Sequence, residues 1–432
     1  MPDHFEYLYG LNSTSIRFGL DPISRLLDRL NNPQDTYGTV LVGGTNGKGS
    51  IAAMLASILN QAGFRVGLYT SPHLIDVRER IKVDGRIISR EKMASCIGDV
   101  RKEVMEEITY FEFLTAVAFL HFYNAKVDLA VLEVGMGGRL DATNVISPLV
   151  SVISNISLEH RAYLGNSLAE IAAEKGGIIK DKGVCVTAAK QIQVIKVLED
   201  ICLKRKAKLL KLGRELKVEI KRDGTFAYNG IGKSYRHLIC SMKGRHQIEN
   251  AALAIGAIES IRQQGIDVDD KSIFNGIRDT QWEGRLEILQ KEPMVLVDGA
   301  HNPAGISVLC RALKTEFVYM RLIVIFAVLD DKDYVNMLRR IVPLSDRLIV
   351  TRPQTYRAMP SEKIASVAAR YTHNIDIIDN SIDALKHALT LADMNDLICV
   401  AGSLYLVGEI KKAFFQQKVE IKQKKYTDMP VR

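Results

Sequence analysis

Residues 40–55 read VLVGGTNGKGSIAAML. A short apolar run ends in glycines, a lysine and a serine, and a run of helical character follows. A loop between a strand and a helix exposes backbone N–H groups at the helix N-terminus, where they and the helix dipole attract phosphate. Glycines let the backbone approach the anion with no Cβ in the way. Lys48 can bring positive charge to the β- and γ-phosphates of a nucleotide, and the Ser50 hydroxyl can serve a magnesium ion. The common pattern places Ser or Thr directly after the Lys; here Gly49 intervenes. An ordinary glycine-rich turn is the plain alternative, and the succession of strand, loop, Lys, Ser and helix argues against it.

Outward from this loop, apolar runs alternate with helix-like segments: TVLVGG (39–44), RVGLYT (65–70), LAVLEVG (129–135), LVSVISNI (149–156) and VCVTA (184–188). Continuous apolar strands with helices between them predict a mostly parallel sheet covered on both faces, a P-loop-type α/β domain. DPISRLLDRLN (21–31) opens with an acid and a proline and spaces its leucines helically. ELKVEIKRDGTFAYNGIG carries Asp-Gly and Asn-Gly turn signals, so an antiparallel hairpin region is expected between about 207 and 240. A helix at QIENAALAIGAIESIRQQG follows. From 294 the alternation restarts with MVLVDGA, RLIVIFAVL, DRLIVTRP, IDIID and LICVAGS, a smaller Rossmann-like α/β domain. The boundary reads near 287–293, around EILQKEP, giving domains 1–288 and 294–432.

The 432 residues suit two or three domains, and 47% hydrophobic with 25% charged residues is the composition of an ordinary globular chain. Six scattered cysteines without a CxxC pair argue against a zinc site or disulfide framework and fit a reducing, cytoplasmic compartment. MPDHFEYLYGL lacks the apolar segment of a secretory signal, and runs such as LIVIFAVL are too short to span a bilayer. The net charge of +8 suits nucleic acid or anionic small molecules. A single Trp and the lack of a basic recognition helix speak against nucleic acid. The basic end, KKAFFQQKVEIKQKKYTDMPVR, reads as a solvated, partly helical tail.

GTNGKGS resembles the loop of the Mur-ligase superfamily, ATP-dependent ligases that join an amino acid to a carboxylate. Further blocks are similar to those of folylpolyglutamate synthase and its bifunctional relative, dihydrofolate synthase: GLYTSPHLIDVRERI (67–81), TYFEFLTAVAF (109–119), VLEVGMGGRLDATNVI (131–146), EKGGIIK (174–180), GRHQIENAALA (244–254), DGAHNP (298–303) and AGSLYLVGE (401–409). They span most of the chain in the family's order. The N-terminal RFGLDPISRLLDRL resembles the bifunctional enzymes.

On residue chemistry alone, Glu133 ends a parallel strand, where ligands meet such sheets, and its carboxylate can hold magnesium; a solvated strand-end acid is the alternative. His160 and Lys175 carry no signal by themselves. The resemblance implies that Ser71, Glu133 and His160 bind one magnesium ion, and Ser50 with the ATP phosphates a second. It implies that Lys175 reacts with carbon dioxide to give a carbamate, a metal-supporting anion made from a cation. Gly44, Thr45, Asn46, Gly47, Lys48, Gly49 and Ser50 would cradle ATP, with Asn250, Arg285 and Asp298 also contacting it. His301 would serve the reacting groups beside Ser403; DDKDY (330–334) matches too. Three positions depart from the family: Glu159 stands for Asp before the His, Gly176 for Ala after the Lys, and Glu283 for Pro before GRLE.

The expected activity is ATP-dependent ligation of L-glutamate to a folate or dihydropteroate carboxylate through an acyl phosphate, with Lys48, Lys175 and His301 in the chemistry. Closure of two domains would keep water from that intermediate. The expected partners are small molecules, with no nucleic acid or membrane, and the expected state is a monomer. The rivals are a superfamily ligase acting on a cell-wall precursor or poly-amino acid, and a nucleotide-binding regulatory module without ligase chemistry.

Overall fold

The structure, a computed structural model, describes residues 4–11 and 19–427, with side chains as far as residue 416. The Arg17–Phe18 start of the N-terminal stretch lies outside these residues. So do the side chains of most of the basic tail, whose backbone continues the helix Leu404–Thr427. The chain forms two compact units. The first comprises residues up to His73, Val77–Ser241 and His246–Trp282; the second comprises Leu74–Asp76, Met242–Arg245 and the chain from Glu283.

The first unit is built on eight strands: Gly38–Gly43 (β1), Val66–Tyr69 (β2), Ile81–Val83 (β3), Arg86–Ile87 (β4), Leu129–Glu133 (β5), Val150–Ile153 (β6), Val184–Thr187 (β7) and Lys208–Lys211 (β8). Their order is β4-β3-β2-β5-β1-β6-β7-β8. From β2 to β8 across the sheet all neighbours are parallel, and β3 and β4 add an antiparallel edge. The apolar runs are continuous because both faces are covered; β5 is buried at every residue. The chain leaves β1 toward β2 on one side, while β6 lies on the other. The end of β1 is therefore the crevice where the strand order reverses, the place where open α/β sheets bind ligands.

A separate antiparallel sheet holds Lys217–Ile220 (β9), Phe226–Asn229 (β10) and Ser234–Leu238 (β11), in the order β11-β10-β9. The Asp223 carboxylate accepts from the Thr225 N–H and hydroxyl, and Gly224 sits at φ +83, so the Asp-Gly signal is a real turn. The start of the expected hairpin region, Lys208–Lys211, instead joins the main sheet parallel to β7.

The second unit carries Glu287–Lys291 (β12), Met294–Val297 (β13), Leu322–Phe326 (β14), Arg347–Arg352 (β15), Ile375–Asn380 (β16) and Leu397–Ala401 (β17), ordered β12-β13-β17-β14-β15-β16. Only β12 is antiparallel. Alternate residues pack into two cores: Leu296, Val324, Phe326 and Cys399 on one face, Val295, Ile323, Ile325 and Val400 on the other. Among the described residues no helix is long and apolar enough to cross a membrane.

Candidate nucleotide and metal site

The quoted stretch forms β1, a loop and the helix Lys48–Gln61. Gly44 has φ +119 and Gly47 φ +90, conformations suited to glycine. Space demands glycine as well. A Cβ on Gly44 would stand 2.0 Å from Ser154 Oγ, and one on Gly47 2.6 Å from Asn250 Oδ1. The helix Arg245–Arg262 thus brings Asn250 against the loop, where its Nδ2 donates to Gln247 Oε1 at 2.9 Å.

The loop is tied to the chain leaving β6. Thr45 N donates to Asn155 O at 2.8 Å, Ser157 N to Thr45 Oγ1 at 3.1 Å, and Asn46 N to Asn155 Oδ1 at 3.2 Å. Asn155 Nδ2 returns a bond to Asn46 O at 3.0 Å. Among the described residues no side chain caps the helix at Gly47, so its first N–H groups are left for an anion. Lys48 folds back, its Nζ donating to Gly44 O and Thr45 O at 3.2 Å each.

Beside the loop, Glu133 ends β5, buried, and its carboxylate accepts from Ser71 N at 3.0 Å. Ser50 is 1% exposed, and its Oγ has no hydrogen-bond partner among the described residues; the same holds for Ser154 Oγ. A buried hydroxyl lacking a partner is costly unless a ligand completes it. Hydroxyl and carboxylate oxygens are the hard donors that magnesium takes, so these residues fit that ion. Among the described residues no three His, Cys, Asp or Glu side chains form a metal cage. A cation here would draw on hydroxyls, water and phosphate oxygens beside Glu133. His160 stands before the helix Arg161–Leu164 in the left-handed conformation, φ +45, partly exposed.

Lys175 is 2% exposed; its Nζ donates to Gly44 O at 2.9 Å and to Glu159 Oε1 at 2.7 Å. Burial pulls its ammonium below the ordinary lysine value, against the support of Glu159 and with the repulsion of Lys48. Burial alone would raise the Glu159 carboxyl, but Lys175 and Lys48 outweigh it and take it down to about 2. Lys175 and Glu159 thus form a buried contact at 2.7 Å, which the carbamate expected at Lys175 would have to replace. The loop after β5 wraps the helix Leu168–Gly176, which carries Lys175: a Cβ on Gly138 would lie 2.9 Å from Lys175 O.

Sequence reading missed Ser154, Asn155 and Asp141. The first two follow the strand next to β1, a neighbourhood that only the strand order reveals. Buried Asp141, raised by that burial, accepts from Met136 N, Thr143 N and the Thr143 hydroxyl and so holds the loop's shape.

In the second unit, Asp298 follows β13. Its two oxygens accept from Leu286 N and Ala300 N, both at 2.9 Å, so it organises the turn around it. The Arg285 guanidinium covers Gly299, where a Cβ would stand 2.1 Å from Nη1. His301 Nδ1 lies 2.8 Å from Gly299 O, and Gly402 N donates to Ala300 O at 2.9 Å. The turns after β13 and β17 are thereby joined, which sets Arg285, Asp298, His301 and Ser403 in one loop cluster. Asp331 of DDKDY pairs with Arg357 at 3.1 Å.

A phosphate loop at the switch point of one parallel sheet, followed by a second parallel α/β unit, is the architecture of a Mur-type ligase. The Mur ligase middle domain matches residues 42–258, and the Mur ligase glutamate ligase domain matches residues 284–404. The dihydrofolate synthase/folylpolyglutamate synthase of Bacillus subtilis is 33% identical over 433 residues, covering 95% of this chain and 98% of that protein. Mycobacterium tuberculosis folylpolyglutamate synthase complexed with ADP superposes with a TM-score of 0.89 at 33% identity, covering 95% of this chain and 97% of the other. A bifunctional folylpolyglutamate synthase/dihydrofolate synthase with Mn, AMPPNP and L-glutamate bound gives 0.86 at 26% identity, covering 95% and 97%. This chain belongs to the folylpolyglutamate synthase/dihydrofolate synthase family of Mur ligases, ATP-dependent enzymes that form C–N bonds.

Proposed function

We propose that this protein joins L-glutamate to the carboxylate of a pteroate- or folate-type substrate at the expense of ATP, and that it accepts both dihydropteroate and folates. The observation that carries the reading is the uncapped phosphate loop between Glu133 and the buried, unpartnered Ser50 hydroxyl, in a chain matched along 95% of its length by a bifunctional relative. The substrate carboxylate attacks the γ-phosphate of ATP; its P–O bond to ADP breaks and an acyl phosphate forms. The helix N-terminus and the Lys48 ammonium hold the phosphates and take up the charge that spreads over the transferring group. Magnesium bound by Ser50, Ser71, Glu133 and His160, as two ions, would neutralise phosphate charge. The glutamate amine then attacks the acyl carbon, loses a proton, and phosphate leaves. No covalent enzyme intermediate is needed.

We assign Asn250, Arg285 and Asp298 to the nucleotide, Asp298 acting through the turn it holds, and His301 with Ser403 to the glutamate. Lys175 is assigned as a carbamate: its neutral amine adds to the carbon of carbon dioxide and releases a proton, leaving an anion beside the metal site. Residues 1–288 serve as the ATP-binding domain and 294–432 as the glutamate-ligase domain. We place the enzyme in the cytoplasm, a reading supported by six free thiols, and assign it as a monomer. The test is incubation with ATP, magnesium, glutamate and either dihydropteroate or tetrahydrofolate, followed by mass spectrometry. Glutamylated products with ADP and phosphate are expected from both. ATP hydrolysis that ignores glutamate would overturn the assignment in favour of a regulatory module.

A further inference from the structure

A cleft of about 920 Å³ opens elsewhere on the first unit, with Arg139, Asn144, Lys180, Asp181, Lys182 and Arg205 in its wall. Leu149 and Gly183, also in the wall, immediately precede β6 and β7. The cleft therefore lies at the N-terminal ends of the strands, whereas the phosphate loop, Glu133 and Ser154 leave from the C-terminal ends. The four residues of β6 put roughly 13 Å between the two edges. It is a different place from the site already described.

Its charges are unbalanced. Arg139 is engaged by Glu174 at 2.9 Å. Lys180 and Arg205 are oriented by neutral groups instead: Lys180 Nζ donates to Asn144 O at 2.9 Å, and Arg205 Nη1 to Gly177 O at 3.3 Å. Lys182 N donates to Arg205 O at 2.7 Å, which sets these two residues next to each other in the chain fold. Asp181 is the one acid in the wall and is exposed. Among the described residues no carboxylate forms an ion pair with Lys180, Lys182 or Arg205. Burial first, and then the neighbouring Arg205, lower the Lys180 ammonium. A second observation is independent of charge. Asn144 is only 5% exposed; its Nδ2 donates to Arg139 O and Gly177 O, and its Oδ1 has no partner among the described residues. The cleft thus offers three cations for anionic oxygens, and Asn144 in its wall holds a buried acceptor without a partner among the described residues.

We propose that this cleft binds an oligocarboxylate carrying amide N–H groups, the chemistry of a short γ-glutamyl chain. Carboxylates meet Lys180, Lys182 and Arg205, and an amide N–H meets Asn144 Oδ1. The site binds and does no chemistry, since it sits at the wrong end of the sheet for phosphoryl transfer. The choice of a glutamyl chain rests on the proposed function; the demand for an anion with a donor does not.

The experiment is calorimetric titration of the full chain, without ATP, with tri-γ-glutamate and separately with inorganic pyrophosphate. It is repeated for Arg205→Gln and Lys182→Gln, and ligation kinetics on a monoglutamyl folate are run in parallel. Tripeptide affinity is expected to fall about tenfold in each variant, the loss of a charge-assisted contact, with kcat and KM for ligation unchanged. Lys182 is exposed, so its variant keeps the test decisive should Arg205→Gln fail to fold. Tripeptide binding that ignores both substitutions overturns the proposal, as does binding of pyrophosphate alone. Absence of ligation by the unmodified protein would sink the proposed function and leave the titration to judge the cleft by itself.

Discussion

Gly49 separates this loop from the common phosphate loop, and its neighbour accounts for it. A Cβ there would stand 2.9 Å from Trp282 Nε1 and 3.1 Å from two further ring atoms, so the indole packs tightly against the helix's first turn. Lys82 Nζ sits 5.1 Å from the ring centroid on the same indole. Gly49→Ala is expected to push the ring aside and weaken ADP binding several-fold, about 1 kcal/mol. Trp282 is the only tryptophan, so a fluorescence titration with ADP reads both effects; unchanged emission and affinity would show the contact to be idle. Lys175 is the other decisive residue. Lys175→Ala is expected to lower ligation at least roughly 100-fold while the circular dichroism spectrum stays native. Near-normal turnover would remove the lysine from the chemistry. The role of Gly49 could not be read from its own stretch, because its partner lies 233 residues away (282 − 49).

At the scale of elements, the helix Tyr110–Asn124 is buried on nearly every side and opens with a capping box between Thr109 and Glu112. It carries His121, 6% exposed, whose imidazolium burial lowers to about 4. As pH falls from about 6.5 toward 4, the unfolded chain takes up a proton that the folded chain refuses. Stability present above pH 6.5 is lost across that window, by up to about 3 kcal/mol. Urea midpoints of His121→Phe are expected to fall less steeply over this range, and an identical slope would clear His121 of the effect. In the second unit, fully buried Lys411 donates to Glu283 and to both oxygens of Glu287, each at 2.7 Å, and Glu287 also accepts from Gly284 N. This clasp holds the turn that carries Arg285. Glu287→Gln is expected to cost about 2–4 kcal/mol, since it leaves a buried ammonium short of charge. Glu283, at 64% exposed, should be replaceable by proline for under about 1 kcal/mol. Equal losses in urea unfolding would contradict this ranking. The buried strands were legible in the sequence because both faces demand apolar residues. Ile81–Val83, Arg86–Ile87, Lys208–Lys211 and Glu287–Lys291 were not: each lies at or next to a sheet edge, where one flank sees solvent and polar residues enter the pattern. The same limit hid the Lys411 clasp, which joins residues that no local period connects.

For the whole molecule, charge is the property that sequence states outright and structure only distributes. The chain carries +8, and every substrate assigned to it is an anion. Three of its cations line a cleft away from the phosphate loop, and among the described residues none of the three is ion-paired. A uniform positive field speeds the arrival of any anion and is screened over about 10 Å at 0.1 M salt. A local cluster discriminates by the number of charges a ligand presents at once. The two pictures part on tail length. With a general field alone, KM for a monoglutamyl and a triglutamyl folate should rise with salt nearly in proportion to their charges. With the cleft engaged, the triglutamyl substrate holds contacts that the shorter one cannot reach, and its KM should rise more steeply in the unmodified enzyme than in Lys182→Gln, while the monoglutamyl profiles of the two proteins coincide. Steady-state kinetics at a series of salt concentrations measures this, and triglutamyl profiles that coincide as well would assign the whole salt effect to the net charge.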